Sequence, residues 1–343
     1  MIQNERMKIR VKFSKTGSVK FLGHLDVMRY FQKAVRRAGL PVAYTEGYHP
    51  HQIMSFAAPL SVGTESVGEY FDMELAEPVD AFREGDVSEK VLCENGKDAS
   101  LPFASLTSAK IKALFNAQMA DGFRVLSVVW LPETQGRKLS AMASVAAARY
   151  RLLFDDADER FYFALKQAAE ALFAMEHIPL RKETKKGETE YDLKPSLYEC
   201  VVGRGGAAFH TDENAEKKIA DTDKVPMTDT DKVPMTDTDN APMTDMEKDT
   251  GLAMAAGRKK AAGTNTGIHM NEDAYENLVY LELLVNASGS GTGNVKPTVV
   301  AEEILSRGGL LPLQSSYRIV RLETYLEEAG RFLPLEAAGH VFP

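Results

Sequence analysis

Between Lys15 and Phe56 the chain reads KTGSVKFLGHLDVMRYFQKAVRRAGLPVAYTEGYHPHQIMSF, its densest collection of residues able to do chemistry. Helical spacing puts Arg29, Lys33, Arg36 and Arg37 at i, i+4, i+7 and i+8, mostly on one face. Lys15 and Lys20 precede that stretch, Lys8, Arg10 and Lys12 alternate along the strand before it, and Tyr44 and Tyr48 follow it. A row of cations beside aromatic rings suits a phosphate backbone whose bases can stack. A solvated helix face and a protein interface are the competing readings. Against the solvated face, the stretch lacks the interleaved glutamates with which exposed helices usually pair their cations.

His24, Asp26, His49 and His51 lie in the same stretch. A His-x-His pair with a third histidine and a carboxylate could hold a divalent metal. Equally, His24, His49 or His51 could act as general base on a ribose 2′-hydroxyl. The plainer reading places His24 and Asp26 at a helix start, where polar and acidic side chains complement the free N–H groups, and His49-Pro50-His51 in a turn. No catalytic or metal site is assigned from these residues, and no cofactor is expected.

Other chemistries find no support. Cys93 and Cys200 are the only cysteines, too few for a disulfide framework, a four-thiolate zinc site or an iron–sulfur cluster. Gly17, Gly23, Gly39, Gly47 and Gly63 read as turn residues, not as a phosphate-binding fingerprint. The 343 residues are 44% hydrophobic and 26% charged, a globular composition long enough for two domains. No apolar run of about 20 residues spans a membrane, and the N-terminus has no secretory h-region, so a cytoplasmic protein without a membrane partner is expected. The net charge of −8 hides an asymmetry: residues 1–60 carry ten Lys/Arg against three Asp/Glu, a local +7, whereas residues 206–274 carry eight against fourteen, a local −6.

The elements that must position the cations follow from periodicity. Ile9, Val11 and Phe13 alternate with Lys8, Arg10 and Lys12, as in a half-buried strand. Leu25, Met28, Phe31, Val35 and Ala38 mark the apolar stripe of a helix over 24–38, closed by Gly39-Leu40-Pro41. A short apolar run near 53–57, a strand at 68–75, a helix around Ile111–Met119 and a strand at 124–131 complete a β-α-β-β-α-β order. The order recurs more loosely with a strand at 147–154, a helix at 158–174, a charged hairpin turning at Lys185-Lys186-Gly187, a strand at 278–285, a helix at 298–306 and a strand at 316–325. The expectation is an α+β protein of two tandem ferredoxin-like domains, 6–131 and 143–331. Residues 206–274 are expected to form a long disordered insertion in the second. Within it the octads DTDKVPMT, DTDKVPMT and DTDNAPMT stand in tandem, and Phe209 is the only aromatic residue. Such a segment buries too little to offset its chain entropy, and its Asp-x-Asp spacing lacks the Gly and Glu of a calcium loop.

Several short motifs carry a resemblance. Phe13-Ser14-Lys15-Thr16-Gly17 is followed by Phe21-Leu22-Gly23-His24-Leu25-Asp26 with Arg29. Lys33-Ala34-Val35-Arg36-Arg37-Ala38-Gly39-Leu40-Pro41, then Gly47-Tyr48-His49-Pro50-His51 and Gly68-Glu69-Tyr70 complete the set. In this order the run resembles the bacterial radical-SAM-linked proteins, over about 65 residues. It continues more weakly through Arg124-Val125-Leu126-Ser127, Lys185-Lys186-Gly187 and Val295-Lys296-Pro297. Two departures touch the cation row: the pattern's Pro-Lys after the loop histidine stands here as Gln52-Ile53, and Lys33 replaces an arginine, losing a bidentate fork.

The resemblance implies an accessory protein that acts with a cobalamin-binding radical SAM enzyme, with RNA as a substrate to be positioned. On that reading Lys15, Lys20, Arg29, Lys33, Arg36, Arg37 and Tyr48 contact nucleic acid. One alternative is a metal-independent endoribonuclease using the N-terminal histidines. It is prompted also by an architectural similarity to CRISPR repeat-processing nucleases, though fold does not imply function. The other is a module that docks on the radical SAM partner without touching RNA.

Overall fold

Two sets of six elements are strung along the chain of this computed structural model, which describes residues 6–76, 106–132, 140–155, 157–184, 187–205, 278–289, 294–310 and 317–343. The first set is β1 (Arg6–Lys15), α1 (His24–Arg37), β2 (Met54–Phe56), β3 (Glu65–Ala76), α2 (Ser108–Asn116) and β4 (Phe123–Trp130). A short helix, α3 (Ala141–Ser144), leads to β5 (Ala147–Phe154) and α4 (Glu159–Ala174). A separate hairpin, β6 (Pro179–Thr184) with β7 (Gly187–Asp192), precedes β8 (Leu197–Arg204). Then come β9 (Val279–Asn286), α5 (Pro297–Arg307), β10 (Tyr317–Glu328) and β11 (Arg331–Pro334). The insertion expected over 206–274, the Lys185-Lys186 turn and Cys93 lie outside the described residues.

One nine-stranded sheet runs through both sets in the order β4-β1-β3-β10-β5-β9-β8, with β2 added to β3 and β11 to β10. Within each set the strands stand in the spatial order fourth, first, third, second. Neighbours are antiparallel except β3 and β10, which meet in parallel at Glu65–Val320 and Ser66–Arg321. The close approach of β3 to β10 requires Gly68: a Cβ there would sit 2.5 Å from the Glu323 Cα. The fold is thus mixed α+β with one large sheet.

The alternation read in β1 places Ile9, Val11 and Phe13 against α1 and α2, in a core with Phe71, Met73, Leu75, Ile111 and Phe115. Phe31 of α1 is the hub of that core, with ring centroids of Phe13, Phe71 and Phe123 at 4.6, 5.0 and 5.6 Å. A second core joins β5 and β9 to α4 and α5 through Leu152, Leu281, Leu283, Leu165, Leu172 and Ile304.

Three expectations need correction. Leu25 leaves the apolar stripe: it is 58% exposed, and Val27, Phe31, Ala34 and Val35 are buried instead. At about 100° per residue, two positions separate Leu25 from Val27 by roughly 200°, which turns Leu25 outward. The polar face of β1 is not a solvated cation row, because α3 and the segment after β11 cover it. Arg10 is fully buried, with Nε and Nη2 on the two Asp72 oxygens at 2.8 and 3.2 Å and Nη1 on the Leu335 carbonyl at 2.8 Å. Lys12 Nζ reaches Glu323 at 2.7 Å and Glu336 at 2.8 Å. Finally, β8 escaped the sequence reading. Its LYECVVGR lacks clean alternation, because an edge strand with a bulge between Leu197 and Glu199 asks for burial only in part.

Candidate functional site

The cations of the N-terminal region separate by element. Strand β1 ends in a bulge between Phe13 and Lys15. Gly17 then takes φ +62°, a left-handed value suited to glycine, and opens a short 3-10 helix over Gly17–Phe21. Lys15 turns inward, 2% exposed, and its Nζ donates to the carbonyls of Lys20 (3.1 Å) and Leu22 (2.8 Å). Burial lowers its pKa below the usual lysine value, Glu69 opposes that shift and Arg321 adds to it. Lys15 therefore ties down the entry to α1, and a phosphate outside the protein cannot reach its ammonium as placed.

Arg29, Lys33, Arg36 and Arg37 all stand exposed on α1. Arg29 lies 3.7 Å from Asp26, a weak surface contact. Arg36 Nε donates to the carbonyl of Gln32 at 3.5 Å, and Arg37 Nη2 donates to the carbonyl of Gln118 at 3.1 Å. Lys33 has no ion pair among the described residues. These contacts leave most guanidinium donors facing water. Arg36 and Arg37, in the last turn, also complement the negative end of the helix. At the other end of the helix stand Phe21, 65% exposed, and Leu25. Lys20 is half-buried, 3.6 Å from Glu65, with its ammonium over the Phe21 ring.

The 44–52 loop is closed by a bridge between Tyr44 and Gln52. Inside it, Thr45 Oγ1 accepts from the His51 N–H at 3.1 Å and lies 3.1 Å from His51 Nδ1. Gly47, at φ +116°, allows the turn that leaves Tyr48 fully exposed and His49 and His51 at the surface.

His24 is set apart from that loop. It begins α1, half-buried, its ring edge-on to Phe56 at 5.6 Å. It lines a cavity of about 10 Å³ together with Lys15 and Glu69, space for little more than a water molecule. Neither His24 nor Asp26 caps the helix through its side chain, since the N-cap is Gly23. Among the described residues no three His, Cys, Asp or Glu side chains are grouped to hold a metal ion, and no helix is long and apolar enough to cross a membrane.

In the sequence Glu69 stands out only as part of Gly68-Glu69-Tyr70, and its role is tertiary. Arg321 of β10 donates to both of its oxygens at 3.0 and 3.2 Å, to Tyr150 Oη at 2.9 and 3.1 Å, and to the carbonyls of Ala58 and Pro59. Arg321 is 3% exposed; burial lowers its pKa, but Glu69 and Tyr150 together outweigh the burial and raise it. No sequence pattern could have paired two residues 252 positions apart.

Residues 8–89 and 98–228, more than half of the chain, match the model of a family of uncharacterized proteins conserved in bacteria (DUF2344). A comparison with curated proteins finds no match.

Proposed function

The chain belongs to the DUF2344 family, associated with cobalamin-binding radical SAM proteins, and on that premise we propose that it is an accessory protein that holds RNA for a radical SAM partner through the outer face of α1. One observation carries this reading. Arg29, Lys33, Arg36 and Arg37 share an exposed face of α1, and among the described residues only Asp26 brings a carboxylate within ion-pair distance of any of them. Phe21 and Tyr48 offer exposed rings for bases in the same N-terminal region. Lys20, half paired to Glu65, extends the track, and His49 and His51 on the exposed loop supply polar contacts to bases. Lys15 takes no direct part. Each half is read as a ferredoxin-like unit, over 6–131 and 143–331, a reading supported by the fourth-first-third-second strand order in both.

The test is RNA binding to the full chain across a salt series, with wild type compared to Arg29→Gln/Arg36→Gln/Arg37→Gln. Log affinity falls linearly with log salt, and the triple variant has a slope shallower by about 2–3. No binding at low salt would overturn the RNA reading. A second reading, docking on the radical SAM protein without RNA, is favoured by the exposed Leu25 and Phe21 at the start of the helix. It predicts that partner binding survives ribonuclease and is lost in Phe21→Ser/Leu25→Ser.

A further inference from the structure

A cleft of about 100 Å³ lies where the loop after β2, strand β5 and the first turn of α5 meet. We propose that this cleft binds a phosphate group, either inorganic phosphate or a phosphate monoester, through Ser61, Thr64, Tyr150, Lys296 and the first turn of α5.

Among the described residues the walls present donors and no carboxylate. Thr64 lines the cleft and is 5% exposed, and its hydroxyl has no hydrogen-bond partner among the described residues; it is not one of the polar atoms sealed from solvent without a partner, which leaves it open to a ligand. Tyr150 is buried too, and its oxygen already accepts two hydrogen bonds from Arg321. Its own proton has no acceptor among the described residues, so it is left to donate into the cleft. At the helix start Pro297 has no N–H, and the Val299 N–H is spent on the Lys296 carbonyl at 3.1 Å. The Thr298 N–H has no backbone partner among the described residues and lies at the positive end of an 11-residue helix. Lys296 is exposed with no ion pair among the described residues. Arg321 lines the floor, its charge matched by Glu69.

Residues with hydroxyls on a loop and a strand, a helix-start peptide N–H and a lysine thus line the same cleft. A tetrahedral dianion offers acceptors to all of those groups, whereas a planar carboxylate has two oxygens and leaves part of the wall unpaired. None of the cations on α1 takes part, so the site stands independently of the RNA reading above.

The experiment is calorimetric titration of the full chain with inorganic phosphate at constant ionic strength, with chloride as the reference anion. Saturable one-site binding is expected. Thr64→Val and Lys296→Gln are each expected to weaken it about tenfold or more, the range for a hydrogen bond to a charged group. Lys296→Gln alters only an exposed side chain, which keeps the test valid if Thr64→Val folds poorly. Arg29→Gln/Arg36→Gln/Arg37→Gln is expected to leave phosphate binding unchanged. An RNA oligonucleotide with and without a 5′-phosphate separates the sources. A gain from the 5′-phosphate that disappears in Lys296→Gln identifies an RNA end. Equal affinity of the two oligonucleotides, with inorganic phosphate still bound, identifies a free phosphate or small monoester. Titration heats that match chloride, or phosphate binding that both variants leave intact, would overturn the proposal.

Discussion

Strand β1 and helix α1 each carry a row of cations, are joined by only eight residues, and put those cations to opposite uses. On β1, Arg10 and Lys12 point away from the aromatic core but into a second layer, where Asp72, Glu323 and Glu336 meet them. On α1, Arg29, Lys33, Arg36 and Arg37 point away from the same core and meet solvent. The difference lies in what lies beyond each row. The residues after β11 return to β1, with Leu335 accepting from Arg10 and Glu336 from Lys12 and Ser127. Among the described residues, only Asp26 brings a carboxylate to α1. Cations are structural where packed segments supply their counter-charges, Asp72 of β3 for Arg10 and Glu323 and Glu336 for Lys12, and available to a ligand where none does.

The comparison breaks most sharply at Arg10. Arg10→Leu leaves the Asp72 carboxylate buried without its charge partner and should cost about 3–5 kcal/mol in urea unfolding. Asp72 would retain the Ala141 N–H and the more distant Lys8. If Arg10→Leu costs no more than an exposed substitution, β1 and α1 are not different in kind.

Lys12→Met should cost less, about 2–3 kcal/mol at neutral pH, because Lys12 and its partners are only part-buried. It should also change the pH dependence. Burial raises the Glu323 pKa above the ordinary carboxylate value, and Lys12 is the main group opposing that shift. With Lys12 gone the folded pKa rises further. A raised folded pKa means stability present below the unfolded pKa of about 4.3 and lost as pH rises through the folded value. Unfolding of Lys12→Met between pH 4 and 7 should therefore show stability falling with pH more steeply than wild type.

On α1 the expected changes in stability are small. Each of Arg29→Gln, Arg36→Gln and Arg37→Gln should shift unfolding by no more than about 0.5 kcal/mol, as for surface side chains away from special features. A larger loss at Arg37 would mean that its bond to the Gln118 carbonyl does structural work and that the basic face is not free for a ligand.

The smallest effect lies outside both rows. Asp192 accepts hydrogen bonds from His177 at 2.9 Å, the Ile178 N–H at 2.8 Å and the Lys194 N–H at 3.0 Å, and these hold its pKa down to about 2. A depressed carboxylate contributes stability present above its unfolded pKa and lost as pH falls through the folded value. Amide exchange at Ile178 and Lys194 should therefore rise as pH falls from 4 to 2, relative to neighbouring amides corrected for intrinsic rates. Asp192→Asn should abolish that acid-dependent rise.

Much of this arrangement was legible in the chain. Alternation of Ile9, Val11 and Phe13 defined β1, and the spacing of Phe31 and Val35 defined α1, because each local period reflects one buried face. The β-α-β-β-α-β order of the first set was visible for the same reason; in the second the repeat was read only loosely, with the charged hairpin in the place of β8, which was missed where an edge position weakened the pattern. The basic face of α1 was legible too, since helical spacing alone groups Arg29, Lys33 and Arg36.

What lay beyond the opposite face of β1 was not legible. A period of two states that Lys8, Arg10 and Lys12 share a side; it does not state whether water or protein covers that side. Lys15 shows the same limit, because a bulge and two carbonyls a few residues ahead decided that its ammonium turns inward. The pairing of Glu69 with Arg321 depended on β3 meeting β10, a contact between residues far apart in sequence. Local chemistry thus determined which residues form each element and which face is apolar. The tertiary structure alone decided which charges are desolvated, because desolvation depends on segments brought in from elsewhere in the chain.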